Sequence, residues 1–103
     1  MQDLNFRSYQ QQAAILADYR NINFPYFKLV QEVGELYNKI ASDLNGEASG
    51  VDTRAAMKKE LGDILWSLSE ICSLNGLSLE EVAKQSIVDM SGSTAAAEPA
   101  NES

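Results

Sequence analysis

Histidine is absent from this 103-residue chain, and cysteine occurs once, at Cys72. The first absence removes Ser-His-Asp and Cys-His catalysis, histidine-ligated zinc, and the Glu-x-x-His pairs of di-iron helical bundles. A lone cysteine builds neither an internal disulfide nor a thiolate metal site within one chain. On its apolar helix face, Cys72 reads as a small buried hydrophobe. Proline and glycine are scarce, at two and six residues, against 45% hydrophobic residues, which favours a helical globular protein over a coil. Positive charge is also thin: eight Lys and Arg stand against fifteen Asp and Glu, for a net charge of −7 and a pI of about 4.4. Such a chain lacks the cations that displace counterions from DNA or RNA, so no nucleic-acid partner is expected. An anionic substrate requires bridging metal ions. No apolar run approaches the roughly 20 residues that span a bilayer. The opening Met1 to Arg7 has no basic segment followed by an apolar one, so neither a signal peptide nor a membrane partner is expected, and the protein is expected to be cytoplasmic.

What is present is helical periodicity. Leu4 to Arg20 carries apolar residues at three- and four-residue spacing and reads as a first helix, with Gln10-Gln11-Gln12 as a solvated or partner-facing turn. Pro25 suits the first turn of a second helix, which the stripe Leu29, Val33, Leu36, Ile40, Leu44 carries to Asn45-Gly46. A third helix is expected from Thr53, capped by Asp52 or Thr53, to Leu74 before Asn75-Gly76. Its broad apolar face runs from Met57 through Leu61, Ile64, Leu65, Leu68 and Ile71 to Cys72, with Trp66 off to another side. Ser78 and Glu81 form a capping box that opens a fourth helix, expected from Leu79 to Met90. The fold class is all-α: one four-helix domain over residues 1–90 and a disordered tail over 91–103, which holds no large apolar residue. Helix three offers more apolar surface than three neighbours in so small a core cover, which predicts a homo-oligomer, a dimer or a tetramer.

Two acidic pairs stand out, Glu32-Val33-Gly34-Glu35 and Glu60-Leu61-Gly62-Asp63. Residues three apart lie about 5–6 Å apart on one helix surface, so each pair forms a claw of two carboxylates. A single acid-x-x-acid is usually a solvated face, and Glu35 with Lys39 makes an ordinary i,i+4 ion pair. Two claws on matching flanks of adjacent helices are harder to explain that way. Each also has a mid-helix glycine, which costs about 1 kcal/mol against alanine and implies close approach of a helix or a ligand. Facing carboxylates repel, and a cation relieves them. All-oxygen ligation suits Mg²⁺, with Mn²⁺ as an alternative, and excludes a zinc preference.

Three stretches carry a family resemblance: Phe27 to Leu36, Lys59-Glu60-Leu61-Gly62-Asp63-Ile64-Leu65-Trp66, and Gly76-Leu77-Ser78-Leu79-Glu80-Glu81-Val82-Ala83. Together with Asn5 to Gln10, they resemble the MazG-like nucleoside triphosphate pyrophosphohydrolases over nearly everything before the tail. The resemblance implies an all-α fold assembled as dimers or dimers of dimers. It implies Mg²⁺-dependent hydrolysis of a nucleoside triphosphate to the monophosphate and pyrophosphate. It implies that Glu32, Glu35, Glu60 and Asp63 bind magnesium and carry catalysis. Lys39 and Lys59, with Lys58 as a further candidate, would neutralise phosphate charge. The pattern departs in the last helix, where relatives carry Asn, then Lys, then a basic residue, and this chain has Ser86, Asp89 and Ser93. That departure supports an alternative, a weakly active or non-catalytic helical module that binds a nucleotide or a protein. A purely structural acidic assembly is the third reading, and it predicts no response to metal.

Overall fold

A computed structural model describes residues 3–44, 46 and 50–96, and the described residues hold four α-helices and no strand. They are α1 (Phe6–Leu16), α2 (Phe24–Leu44), α3 (Gly50–Leu74) and α4 (Leu79–Ala96). Each boundary has a local cause. Asn5 caps α1: its Oδ1 accepts from the Ser8 amide at 2.8 Å, and Ser8 Oγ accepts from the Asn5 amide at 3.0 Å. Ala17 then turns to extended backbone, so α1 stops four residues short of the expected Arg20. Pro25 sits in the first turn of α2, where no N–H is required, and its side chain is fully buried. Gly76, at φ +67°, closes α3 in the left-handed conformation. The amides of Leu77 and Gly76 reach back to the carbonyls of Cys72 and Ser73, which satisfies the last free carbonyls of the helix.

Two other boundaries differ from expectation. α3 begins at Gly50, so Thr53 is a buried first-turn residue and not a cap. α4 runs on to Ala96, past the expected end at Met90. Helical hydrogen bonds are local and need no buried side chain, and the two alanines there are strong helix formers. The expected disorder of residues 91–96 is corrected accordingly, and residues 97–103 lie outside the described residues.

α2 and α3 make the main pairing, and they run antiparallel. Asn75 meets the Tyr26 hydroxyl at 2.8 Å, Asp63 meets Glu32, and Glu60 meets Lys39 at 3.6 Å, so partners rise on α2 as they fall on α3. α1 lies against α3 and α4, while α4 has no contact with α2. Of the three glutamines expected to be solvated or partner-facing, Gln11 and Gln12 are exposed and Gln10 is half-buried. Its amide donates to Ser73 Oγ at 3.1 Å and to the Leu77 carbonyl at 2.9 Å, and its Oε1 accepts from the Leu79 amide at 2.9 Å. It thereby staples α1 to the α3–α4 turn. Nor does Trp66 stand apart. It meets Tyr19 and Phe24 edge-on, at centroid distances of 6.0 and 6.3 Å, and packs the α1–α2 connector onto α3.

The apolar core of one chain is small. Among the described residues, only Ala13, Pro25, Cys72 and Leu79 are buried apolar side chains, in line with the expectation for Cys72. Of the stripe expected to be buried on α2, Leu29, Leu36 and Ile40 are half-buried, while Val33 is 48% exposed and Leu44 80%. Leu61 and Leu68, on the expected buried face of α3, are 50% and 41% exposed. The radius of gyration is 17.1 Å, against about 13 Å for a compact domain of this length.

Candidate metal centre

The antiparallel pairing brings acids from both claws together midway along α2 and α3. Glu32, Glu60 and Asp63 each offer a carboxylate oxygen, and these oxygens lie within 4.8 Å of one another. Glu32 and Glu60 are buried, at 5% and 4% exposure, and Asp63 is half-buried. Glu60 Oε2 is buried with no hydrogen-bond partner. Unpartnered buried polar atoms are rare in native proteins, and each calls for an explanation.

Three lysines answer the three acids. Lys28 approaches Glu32 at 3.8 Å, Lys39 approaches Glu60 at 3.6 Å, and Lys59 approaches Asp63 at 3.1 Å. Lys28 was not singled out by the motif, although its place one turn before Glu32 on α2 was readable from the spacing. Glu32 and Asp63 also shift each other's acidity. A hydrogen bond to Asp63, then burial, pushes Glu32 up to about 7, although the Lys28 charge opposes this. Burial works to raise Asp63 as well, but the hydrogen bond from Glu32 and the Lys59 ammonium outweigh it and hold Asp63 below the ordinary carboxylate range. The Lys59 ammonium is held up in turn by its hydrogen bond to Asp63.

Glu35 stands outside this cluster. Its carboxylate accepts from Gln31 Nε2 at 3.2 Å on its own helix. Of the α2 pair only Glu32 reaches the cluster. On α3 both claw members, Glu60 and Asp63, point into the cluster. Lys58 lies elsewhere, lining a groove with Arg54, Met57 and Leu61. Ser86 and Asp89 are exposed on α4, where Asp89 accepts from Gln85 Nε2 at 2.7 Å and Ser86 Oγ donates to the Ala83 carbonyl at 3.0 Å. Gly34 and Gly62 lie in open space, with no atom within 4 Å of where a Cβ would stand, so the close helix approach inferred from them does not occur within one chain.

The donor set fits a hard divalent cation. It is all oxygen, it is preassembled, and it includes a buried carboxylate oxygen that no protein group satisfies. Sequence comparison agrees with this chemistry. A family model described as the MazG nucleotide pyrophosphohydrolase domain matches residues 26–91, a span that includes both claws. Comparison with curated proteins and with solved structures returned no match.

Proposed function

The chain belongs to the MazG nucleotide pyrophosphohydrolase domain family, and from that membership we propose that it hydrolyses a nucleoside triphosphate to the monophosphate and pyrophosphate. The observation that carries this reading is the convergence of Glu32, Glu60 and Asp63 around the unpartnered Glu60 Oε2. These three residues are the proposed ligands of Mg²⁺, with Mn²⁺ as the alternative ion. When bound, such an ion offsets phosphate charge and acidifies water at the α-phosphorus.

The remaining roles follow from where the side chains stand. Glu35, outside the cluster and holding one hydrogen bond from Gln31, is the carboxylate proposed to take the proton of the attacking water. Lys39 and Lys59 neutralise Glu60 and Asp63 in the metal-free chain. Once a cation takes over that task, their ammonium groups are released to hold phosphate oxygens, and Lys28 beside Glu32 is a third group of the same kind. The exposed apolar surface of α2 and α3 supports a homodimer or homotetramer as the working form.

The test is a pyrophosphate assay across a panel of nucleoside triphosphates. Mg²⁺-dependent pyrophosphate release that disappears in Asp63→Asn is expected, and release of single phosphate would refute the assignment. Glu35→Gln is expected to abolish turnover while Mg²⁺ still raises the melting temperature, because the ligand cluster is intact. One feature of the resemblance favours a second reading: Asp89 and Ser86, both exposed, stand where the family pattern implies a Lys and an Asn that hold phosphate. A non-catalytic member of the family would show stabilisation by Mg²⁺ and nucleotide with no product from any of them.

A further inference from the structure

A second polar site lies on α3 beyond the metal ligands. Glu70 is only 2% exposed, and no ion pair among the described residues includes it. Its Oε1 accepts from the Tyr19 hydroxyl at 3.0 Å, while its Oε2 is buried without a partner. Ser67 and Ser69 beside it are fully buried, and their hydroxyls are also without partners. One carboxylate and two hydroxyls left unsatisfied within four residues are costly in an apolar protein interior unless something else supplies their hydrogen bonds.

The placement indicates what that is. Glu70 follows Asp63 by seven residues, just short of two turns and about 10 Å of rise, so the two share a face of α3. Burial raises the Tyr9 hydroxyl, and the charges of Glu70 and Asp63 raise it further. An aromatic wall borders Glu70, where Tyr19 stacks on Phe24 at 5.7 Å and both meet Trp66, one turn before Glu70 on α3. A phosphate group held at Glu32, Glu60 and Asp63 would leave a nucleoside's sugar and base to run along this face.

We propose that Glu70 reads the base of the nucleotide, and that it selects an amino-bearing base (guanine, adenine or cytosine) over uracil. This rests on the reading of the carboxylate cluster as a nucleotide-phosphate site. A carboxylate only accepts hydrogen bonds, so its unpartnered oxygen takes an exocyclic amino N–H. Guanine offers two adjacent N–H donors to the two oxygens. Uracil offers one N–H flanked by two carbonyl oxygens, which the carboxylate repels. Neighbouring aromatic rings are a stacking surface that accepts any base and so leaves the choice to Glu70.

The test is calorimetric titration of the full chain, in Mg²⁺, with the α,β-methylene analogues of GTP, ATP, CTP and UTP, which the proposed hydrolysis does not cleave. The three amino-bearing analogues are expected to bind about tenfold or more tighter than the uridine analogue, as befits a hydrogen bond to a charged group. Glu70→Gln, near in shape and with its fold checked by circular dichroism, is expected to erase that preference. Equal affinities in the unmodified chain, a preference that survives Glu70→Gln, or no binding of any analogue would each overturn the proposal. Pyrophosphate release without base preference would remove the role of Glu70 and leave hydrolysis standing. Base-selective binding without pyrophosphate release would do the reverse.

Discussion

At the level of single residues, the centre of the protein is the pair Glu32 and Asp63, whose acidities are pushed in opposite directions. Glu32 is raised to about 7 in the folded chain, so its contribution to stability is present below its ordinary value of 4.5 and is lost as pH rises through about 7. Asp63 is lowered, so its contribution is present above its ordinary value of 3.8 and is lost only as pH falls below that, outside this window. The metal-free protein should therefore lose stability through Glu32 between about pH 5 and pH 8. Mg²⁺ must displace the Glu32 proton, so its stabilising effect should grow over that interval. Thermal melts at the two pH values, with and without Mg²⁺, measure both trends. Glu32→Gln mimics the protonated side chain. It should melt no lower than the unmodified chain at pH 8 without metal, and should lose the rise that Mg²⁺ produces. A variant that kept the full metal response would remove Glu32 from the ligand set.

At the level of the helices, two sites have opposite expected outcomes. Gln10 holds α1 to the α3–α4 turn through three hydrogen bonds, and one of its partners, the Leu79 amide, belongs to a buried residue. Gln10→Ala should cost about 1–3 kcal/mol in urea unfolding, since it strands a buried donor. Gly62 sits mid-helix on α3 with open space where a Cβ would go. Gly62→Ala should stabilise a lone chain by about 0.5–1 kcal/mol. If it instead weakens self-association or nucleotide binding, the empty space belongs to a second chain or a ligand. The helices themselves were legible in the sequence because the apolar spacing, Pro25, the capping pair at Ser78 and Glu81, and Gly76 are local signals. Their ends were less legible. α1 stops early at a place no breaker in the sequence marks, and α4 continues because no proline interrupts it before Ala96.

At the level of the molecule, one chain leaves Phe27, Val30 and Tyr37 of α2 about 70% exposed, and among the described residues buries few apolar side chains, Ala13, Pro25, Cys72 and Leu79. A monomer with such a surface is poorly supported by its own core. Sedimentation at micromolar concentration should give a dimer or tetramer. Val30→Glu would be within about 0.5 kcal/mol of neutral on a free surface. On a covered one it should dissociate the assembly and lower the melting temperature. No helix among the described residues is long and apolar enough to cross a membrane.

The sequence by itself determined the class of the fold, the two acid-x-x-acid claws and the family, because these depend on residue type and short-range spacing. Histidine and thiolate chemistry were excluded on the same basis. Only the tertiary structure decided which acids meet. The antiparallel packing of α2 on α3 directs Glu32, Glu60 and Asp63 at one another and leaves Glu35 outside the cluster, against Gln31. It also drew Lys28 into the cluster, buried Glu70 beside Tyr19, and made Gln10 a staple. Spacing along a helix says which residues share a face. Which face is turned inward, and what stands opposite, depends on partners far away in the chain.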